Sequence, residues 1–286
     1  MSSPSGRAVL VTGGAGFIGT NLVRMLLGRG YRVRILDNFS NPHQPDYLSG
    51  LEVEVVRGDI RQAADWDGIL RGIDGVFHLA ALSGVEDSVR DPENSYGINV
   101  GGTHTLLLAC KARKIRRFVA ASSNAPLGKQ PPPVDEETAP KPISPYGAYK
   151  LALEGMCLAF HGSFGLGAVP LRLSNVYGPF ASHKTSVVSL FIKNVLDGEP
   201  LQICGDGSQT RDFIYVEDVC RAFTAAMESD AAGEIFQVGS GKETSILDLA
   251  ALVREAAGGE TPKTSFAAPR AGDMRRNFSR TDKAAR

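Results

Sequence analysis

At 286 residues the chain is long enough for one large α/β domain, or for one domain with a small appendage grown from its loops. Hydrophobic residues make up 43% and charged residues 22%, with 31 Lys+Arg against 31 Asp+Glu, which excludes a disordered chain and a basic field for nucleic acid and leaves a small molecule as the expected partner. No stretch approaches the roughly 20 apolar residues that span a bilayer, and residues 1–7 lack the apolar centre of a signal peptide, so a cytoplasmic protein is expected. Cys110, Cys157, Cys204 and Cys220 are widely spaced, with no Cys-x-x-Cys and no His at metal-ligand spacing; buried reduced thiols, no disulfide and no metal are expected.

Short β-branched runs alternate with longer segments of helical period. Residues 8–12 read as a strand, a helix follows to about residue 29, and residues 31–36 form a second strand. The alternation continues with a strand at 53–56, a helix near 62–71, a strand at 75–79, a helix near 94–114 and a strand at 117–121. That order predicts an α/β fold with a doubly wound parallel (Rossmann) sheet covered on both faces. A proline-rich loop over 126–145 precedes a helix at 146–164, and 167–173 reads as another buried strand. Beyond it, residues 177–211 and those from 241 onward read as loop and helix insertions that close over a ligand, while 212–238 return to the main sheet.

Val9-Leu-Val-Thr-Gly13-Gly-Ala-Gly16-Phe-Ile-Gly19 is a strand, a glycine turn and the start of an amphipathic helix in immediate succession. Gly13 can turn with positive φ, Gly16 lets backbone approach a pyrophosphate at the helix N-terminus, and Gly19 lets the helix pack close to the sheet. The second strand ends in Asp37, about 20 residues past the glycines, where a carboxylate can accept from adenosine ribose hydroxyls. Such an acid favours NAD over NADP, although Arg32 and Arg34 lie on the same strand and Asp37 could instead begin a turn with Asn38. Asp59 and Ile60 after the third strand can reach the adenine, and His78-Leu79-Ala80-Ala81 can line the groove under the cofactor.

Tyr146 and Lys150 stand four apart at the start of a predicted helix, on one face. A phenol of pKa about 10 is a poor base at neutral pH, but a neighbouring ammonium and a positive nicotinamide ring can stabilise the phenolate. Ser123, at the end of the fifth strand, can hydrogen-bond the same substrate hydroxyl or the carbonyl it becomes.

Together these residues make the chain resemble the extended short-chain dehydrogenase/reductases, specifically the NAD-dependent nucleotide-sugar epimerase/dehydratase family, over nearly its whole length. The resemblance rests on Thr12-Gly-Gly-Ala-Gly-Phe-Ile-Gly19, His78-Leu-Ala-Ala81, Asn99-Val-x-Gly-Thr103, Tyr146-Gly-Ala-x-Lys150 and Leu171-Arg-Leu-x-Asn-Val-Tyr-Gly-Pro179. It implies catalytic Ser123, Tyr146 and Lys150, and NAD held by Gly13, Gly16, Phe17, Ile18, Gly19, Asp37, Asn38, Asp59, Ile60, Leu79, Ala80, Ala81 and Asn99. For the substrate it implies Ser83, Ser123, Asn124, Asn175, Val188, Gln202, Ile203, Arg211, Arg270, Asp273 and Asn277. Of these, Asn175 and Arg211 take the diphosphate, Gln202 and Ile203 the base, and Asn277 limits the volume left for the sugar; Arg211-Asp212 and Arg270 near Asp273 could also satisfy each other as surface ion pairs.

The resemblance further implies an NAD-binding domain over 1–176 plus about 212–240, a nucleotide-sugar lobe over about 177–211 plus 241–286, and a homodimer through the helices near 94–114 and 146–164. Departures from the family pattern bear on the reaction. Dehydratases and decarboxylases of the family carry acids after the catalytic Ser/Thr, where this chain has Asn124 and Ala125. The expectation is 4-epimerisation of a nucleotide sugar, a UDP-hexose or its N-acetyl or uronic acid form. The alternatives are a dehydratase, decarboxylase or net oxidoreductase, or a non-catalytic NAD sensor. Leu127 and Tyr215 replace a frequent tyrosine and a frequent histidine, and the chain stops at Arg286, before the family's closing Leu-Gly-Trp-like segment and helix, which reads as a truncation.

Overall fold

The computed structural model describes residues 6–40, 44–62, 65–258, 263–269 and 274–286. In chain order the strands are β1 (Ala8–Thr12), β2 (Arg32–Asp37), β3 (Glu54–Arg57), β4 (Gly75–His78), β5 (Arg117–Ser123), β6 (Gly167–Leu173), β7 (Asn175–Tyr177), β8 (Leu201–Cys204), β9 (Thr210–Arg211), β10 (Phe213–Tyr215), β11 (Phe236–Val238), β12 (Thr244–Ser245) and β13 (Thr264–Ala267). The helices are α1 (Phe17–Gly28), α2 (Gln44–Tyr47), α3 (Trp66–Ile69), α4 (Val85–Arg90), α5 (Pro92–Tyr96), α6 (Thr103–Ala112), α7 (Pro145–Phe164), α8 (Val187–Asp197), α9 (Val216–Glu228), α10 (Ile246–Ala257) and α11 (Asp282–Ala285).

Seven strands form one parallel sheet in the order β3-β2-β1-β4-β5-β6-β11. The order reverses between β1 and β4, and a ligand crevice opens beyond the carboxyl ends of strands at such a reversal. Alternation along each strand divides the core in two. Val9 and Val11 of β1, Phe77 of β4 and Val169 and Leu171 of β6 enter one cluster with Leu22, Leu26, Val219 and Phe223 of α1 and α9. Leu10, Val76, Phe118 and Ala168 point the other way, onto Leu106 and Cys110 of α6 and Leu153, Cys157 and Phe160 of α7. A third cluster, outside the sheet, joins Val188 and Phe191 of α8, Leu201 and Ile203 of β8, and Leu249 of α10.

The doubly wound sheet matches the sequence expectation, with differences in detail. The helix expected near 62–71 is only the four-residue α3 among the described residues. The helix expected near 94–114 is α5, a π-helical stretch at Gly97–Gly102 and then α6. Of residues 212–238, only β11 rejoins the main sheet; β10 pairs with β7 in a small sheet of its own. No helix among the described residues is long and apolar enough to cross a membrane.

Candidate active site

The turn between β1 and α1 is one that glycine alone fits. Gly13 has φ +69°, and a Cβ there would lie 2.7 Å from the Ala80 nitrogen; a Cβ on Gly19 would lie 2.1 Å from the Gly13 carbonyl oxygen. Helix α1 opens with no side-chain cap and no acid in its first turn, so its leading amides and dipole are available to an anion. Phe17 is buried and Ile18 half-buried against the core beneath the turn.

Asp37 is 5% exposed and tied to the turn: Oδ2 accepts from the Ala15 amide at 3.0 Å and Oδ1 from the Phe39 amide at 2.9 Å. A carboxylate at the end of this strand, beside the turn, stands where adenosine ribose hydroxyls would lie. The two arginines of β2 are engaged elsewhere. Arg34 donates to the carbonyls of Gly68, Ile69 and Arg71 and pairs with Glu54, and Arg32 donates to the Gly6 carbonyl. Neither presents charge to a 2′-phosphate beside Asp37. Hydrogen bonds from Arg61 hold Asp59 down to about 2, and Asn38 Nδ2 donates to its Oδ2 at 3.3 Å. Ile60 is buried in the core below.

His78 ends β4 inside a chain of bonds whose direction is fixed. The Ala80 amide donates to Thr12 Oγ1, which lies 2.8 Å from His78 Nδ1; His78 Nε2 lies 2.9 Å from Thr103 Oγ1, which donates to the Asn99 carbonyl. Since the Thr103 proton is committed to that carbonyl, Nε2 carries the ring proton and Nδ1 accepts from Thr12. Burial first, and then Lys150, push the imidazole down to about 3.

The unfolded chain therefore takes up a proton below about pH 6.5 that the folded chain refuses until about pH 3. Stability present above pH 6.5 is lost at about 1.4 kcal/mol per pH unit through that window. Urea unfolding at pH 7 and pH 5 should show a loss about 2 kcal/mol larger in the native chain than in His78→Gln. Equal losses would remove His78 as the cause.

The same network reaches Asn99 in the π-helical stretch. Its Nδ2 donates to the Leu82 carbonyl and to Ser95 Oγ, while its buried Oδ1 has no partner among the described residues. A hydroxyl donor from a cofactor in the groove lined by half-buried Leu79, Ala80 and Ala81 would supply one. With the glycine turn, the open helix end and Asp37, the residues present fit a dinucleotide.

Across the groove, Ser144 caps α7 by accepting from the Gly147 amide at 3.1 Å, and Pro145 occupies its first turn. Tyr146 is half-buried as a residue, but packing around its hydroxyl pushes the phenol up to about 12, against a hydrogen bond with Ser123 that lowers it. Lys150 is 3% exposed; its Nζ donates to the Ala121 carbonyl at 2.8 Å and lies 5.9 Å from the centre of the Tyr146 ring. Burial pushes this amine down to about 8, with Glu154 and then Cys157 opposing. In the protein alone, burial of the Tyr146 hydroxyl therefore outweighs the hydrogen bond with Ser123 and keeps the phenol protonated at neutral pH.

Around Ser123, Asn124 Nδ2 donates to Ser279 Oγ at 2.9 Å and to Ser174 Oγ at 3.4 Å. Asn175 caps the Asp212 carbonyl, and Arg211 Nη1 donates to the carbonyls of Thr210 and Met274. Gln202 is exposed on β8, whereas the side chains of Ile203 and Val188 lie inside the third core cluster. Asn277 sits half-buried in the segment that pairs with Val134 through Phe278 and Arg280. Arg270 and Asp273 lie outside the described residues. A cleft of about 900 Å³, lined in part by Gly205, Gln209, Phe266 and Met274, does not include Ser123, Tyr146 or Lys150.

Sequence reasoning missed several residues here. Lys184 reaches over the groove to donate to exposed Ser83 at 2.9 Å, from a loop with no motif to mark it. Asp212 is fully buried and gathers the Ser240 amide and hydroxyl and the amides of Gly241 and Ser279. Glu154 and Arg172 form a buried pair; a charge in the otherwise apolar run of β6 was its visible signal.

The fold, with a serine, tyrosine and lysine gathered beside the switch point of the sheet, is that of a dinucleotide-dependent enzyme of the short-chain dehydrogenase/reductase type. A model of the NAD dependent epimerase/dehydratase family matches residues 9–239, and the chain belongs to that family. It is 37% identical over 277 residues to a UDP-glucose 4-epimerase of Mycolicibacterium smegmatis, covering 94% of this chain and 88% of the relative. A dTDP-glucose 4,6-dehydratase of Streptomyces niveus is 33% identical, over 87% and 77%. Among solved structures, a UDP-N-acetylglucosamine 4-epimerase from Methanobrevibacter ruminantium in complex with UDP-N-acetylmuramic acid superposes with TM-score 0.92 at 33% identity, covering 98% and 91% of the two chains. A UDP-glucuronic acid 4-epimerase from Bacillus cereus in complex with UDP-glucuronic acid and NAD gives 0.90 at 34% identity, over 97% and 91%. The cofactor of this chain is NAD.

Proposed function

We propose that the chain interconverts the C4 epimers of a UDP-sugar and keeps its NAD throughout. NAD supplies a reversible hydride acceptor and a positive ring. Tyr146 takes the proton of the C4 hydroxyl and later returns it, Ser123 bonds the same oxygen, and Lys150 steadies the phenolate. Relatives include both epimerases and dehydratases, so the family alone does not choose. The observation that carries the choice is Asn124: it follows Ser123 where an acid would be needed to eliminate water, its amide is held by Ser174 and Ser279, and the next residue is alanine.

The working division places NAD on residues 1–176 with about 212–240 and the nucleotide sugar against 177–211 with 241–286. In that division Asn175 and Arg211 take the diphosphate and the face of Gln202 the base, while Arg270 and Asp273 remain candidates. The buried free thiols of Cys110, Cys157 and Cys220 suit a reducing compartment, which supports a cytoplasmic enzyme.

The outer faces of the helices flanking the site leave Val89, Tyr96, Leu108 and Phe164 exposed, which supports a homodimer across this surface. Sedimentation showing only monomer at micromolar concentration would remove that assembly. The reaction is tested by incubating the protein with UDP-glucose, UDP-N-acetylglucosamine and UDP-glucuronic acid without added NADH or NADPH. Formation of the C4 epimer of one of them is expected. Consumption of added reduced cofactor with a keto sugar, and no epimer, would overturn the reading.

A further inference from the structure

Three successive residues at the end of β5 each hold a residue of α7, and the three held residues stand one turn apart. Ser123 bonds the Tyr146 hydroxyl, the Ala121 carbonyl accepts from Lys150 Nζ at 2.8 Å, and Ser122 Oγ donates to Glu154 Oε1 at 2.6 Å. The proposed chemistry uses the first two contacts and leaves the third unexplained. Glu154 is also gripped from β6: Arg172, the register partner of Ser122, donates Nε to Oε1 and Nη2 to Oε2, both at 2.9 Å. Glu154 is 1% exposed and Arg172 2%.

Stability is a weak reason for such a pair. Burying two charges costs several kcal/mol per ion, and apolar residues of similar volume commonly do as well. Its position suggests another reason. The groups facing Lys150 are Tyr146, Glu154 and Cys157 on its own helix, His78 from β4, Ala121 and Ser123 from β5, and Arg172 of β6 behind Glu154. His78 is neutral and burial keeps Cys157 a thiol, so Glu154 is the acid in this set.

We propose that Glu154, clamped by Ser122 and Arg172, is a positioning residue: it sets α7 against β5 so that Tyr146 and Lys150 meet the reacting hydroxyl, and it holds the Lys150 amine in its ammonium form. Arg172 fixes where the carboxylate lies, and Ser122 couples that carboxylate to the strand that carries Ser123. Burial already draws Lys150 down to about 8, so the opposing carboxylate decides how much ammonium remains at neutral pH. The inference rests on the proposed roles of Tyr146 and Lys150.

The test follows the amine directly. In ligand-free protein labelled with ¹⁵N-lysine, the Lys150 resonance is identified by its loss in Lys150→Met and titrated by NMR. In Glu154→Gln the Lys150 midpoint should fall by about one pH unit. With UDP-sugar, kcat should fall about tenfold or more, KM should change less, and the alkaline limb of the rate profile should move to lower pH by the same interval. Because this substitution leaves Arg172 unpaired and could prevent folding, Glu154→Gln/Arg172→Met removes both charges together; loss of the Arg172 cation offsets part of the effect, so the Lys150 midpoint should still fall there, by less than in Glu154→Gln.

A lower melting temperature with an unmoved Lys150 midpoint is the result of a purely structural pair and overturns the proposal. If the native chain epimerises none of the sugars, the functional reading fails, while the NMR titration still decides the role of Glu154.

Discussion

Tyr146→Phe is expected to lower kcat by on the order of 10²–10⁴-fold while leaving NAD affinity nearly unchanged. The substitution removes one oxygen. The ring remains half-buried at the start of α7, so the helix cap, the Lys150 bond to Ala121 and the glycine turn all persist. What disappears is the group that can exchange a proton with the sugar hydroxyl beside Ser123. The native pH profile should carry the signature of the pair. Activity should decline as alkaline pH strips the proton from Lys150, whose amine is already down to about 8, and the acid limb should lie far below the value of about 12 that burial gives the phenol before the cofactor is in place. Calorimetric NAD binding alongside stopped-time epimer assays separates the two effects. Equal turnover in the variant would remove Tyr146 from the mechanism.

Gly19→Ala should be the most damaging single methyl in the chain for cofactor binding. The added carbon would sit 2.1 Å from the Gly13 carbonyl oxygen and 2.7 Å from the Gly14 Cα, both backbone, so no rotamer change relieves it. Either α1 withdraws from the sheet or the turn deforms, and both disturb the amides offered to the pyrophosphate. Overpacking of this kind costs about 1–3 kcal/mol, equivalent to roughly 5- to 150-fold in NAD affinity if the strain falls on the site. Gly28 in the last turn of the same helix is the control. An alanine there meets nothing within 4 Å and should raise stability by about 0.5–1 kcal/mol with NAD binding intact. Similar affinities in the two variants would mean the turn yields without cost.

The parts of the fold legible in the sequence are those whose cause is local. The β1 turn is written in glycines three apart, and the start of α7 in Ser144-Pro145; each feature works through its own backbone. Elements whose form depends on distant contacts were less visible. One helical period runs through residues 94–114, but the π-helical insertion that carries Asn99 is held by Thr103 and His78, and His78 lies on another strand. Phe213–Tyr215 has the apolar, aromatic character of a main-sheet strand, yet it pairs with β7, which only the tertiary structure brings alongside. The candidate site divides in the same way. Asp37, Ser123, Tyr146 and Lys150 were marked by spacing, whereas the packing of the Ile203 and Val188 side chains into the third core cluster depends on contacts between distant elements. Lys184 and Asp212 carried no local signal, since their partners lie elsewhere in the chain.

The contacts of Ser279 impose an order on how the enzyme matures during synthesis. Its amide reaches Asp212 and its hydroxyl accepts from Asn124, while Phe278 and Arg280 bracket Val134, so these links span between 67 and 155 residues. All seven strands of the main sheet precede this segment, and domains form from the N-terminal end as the chain emerges. A nascent chain can thus assemble the seven-stranded sheet and its glycine turn first, with Asn124 and Asp212 still waiting for their last partners.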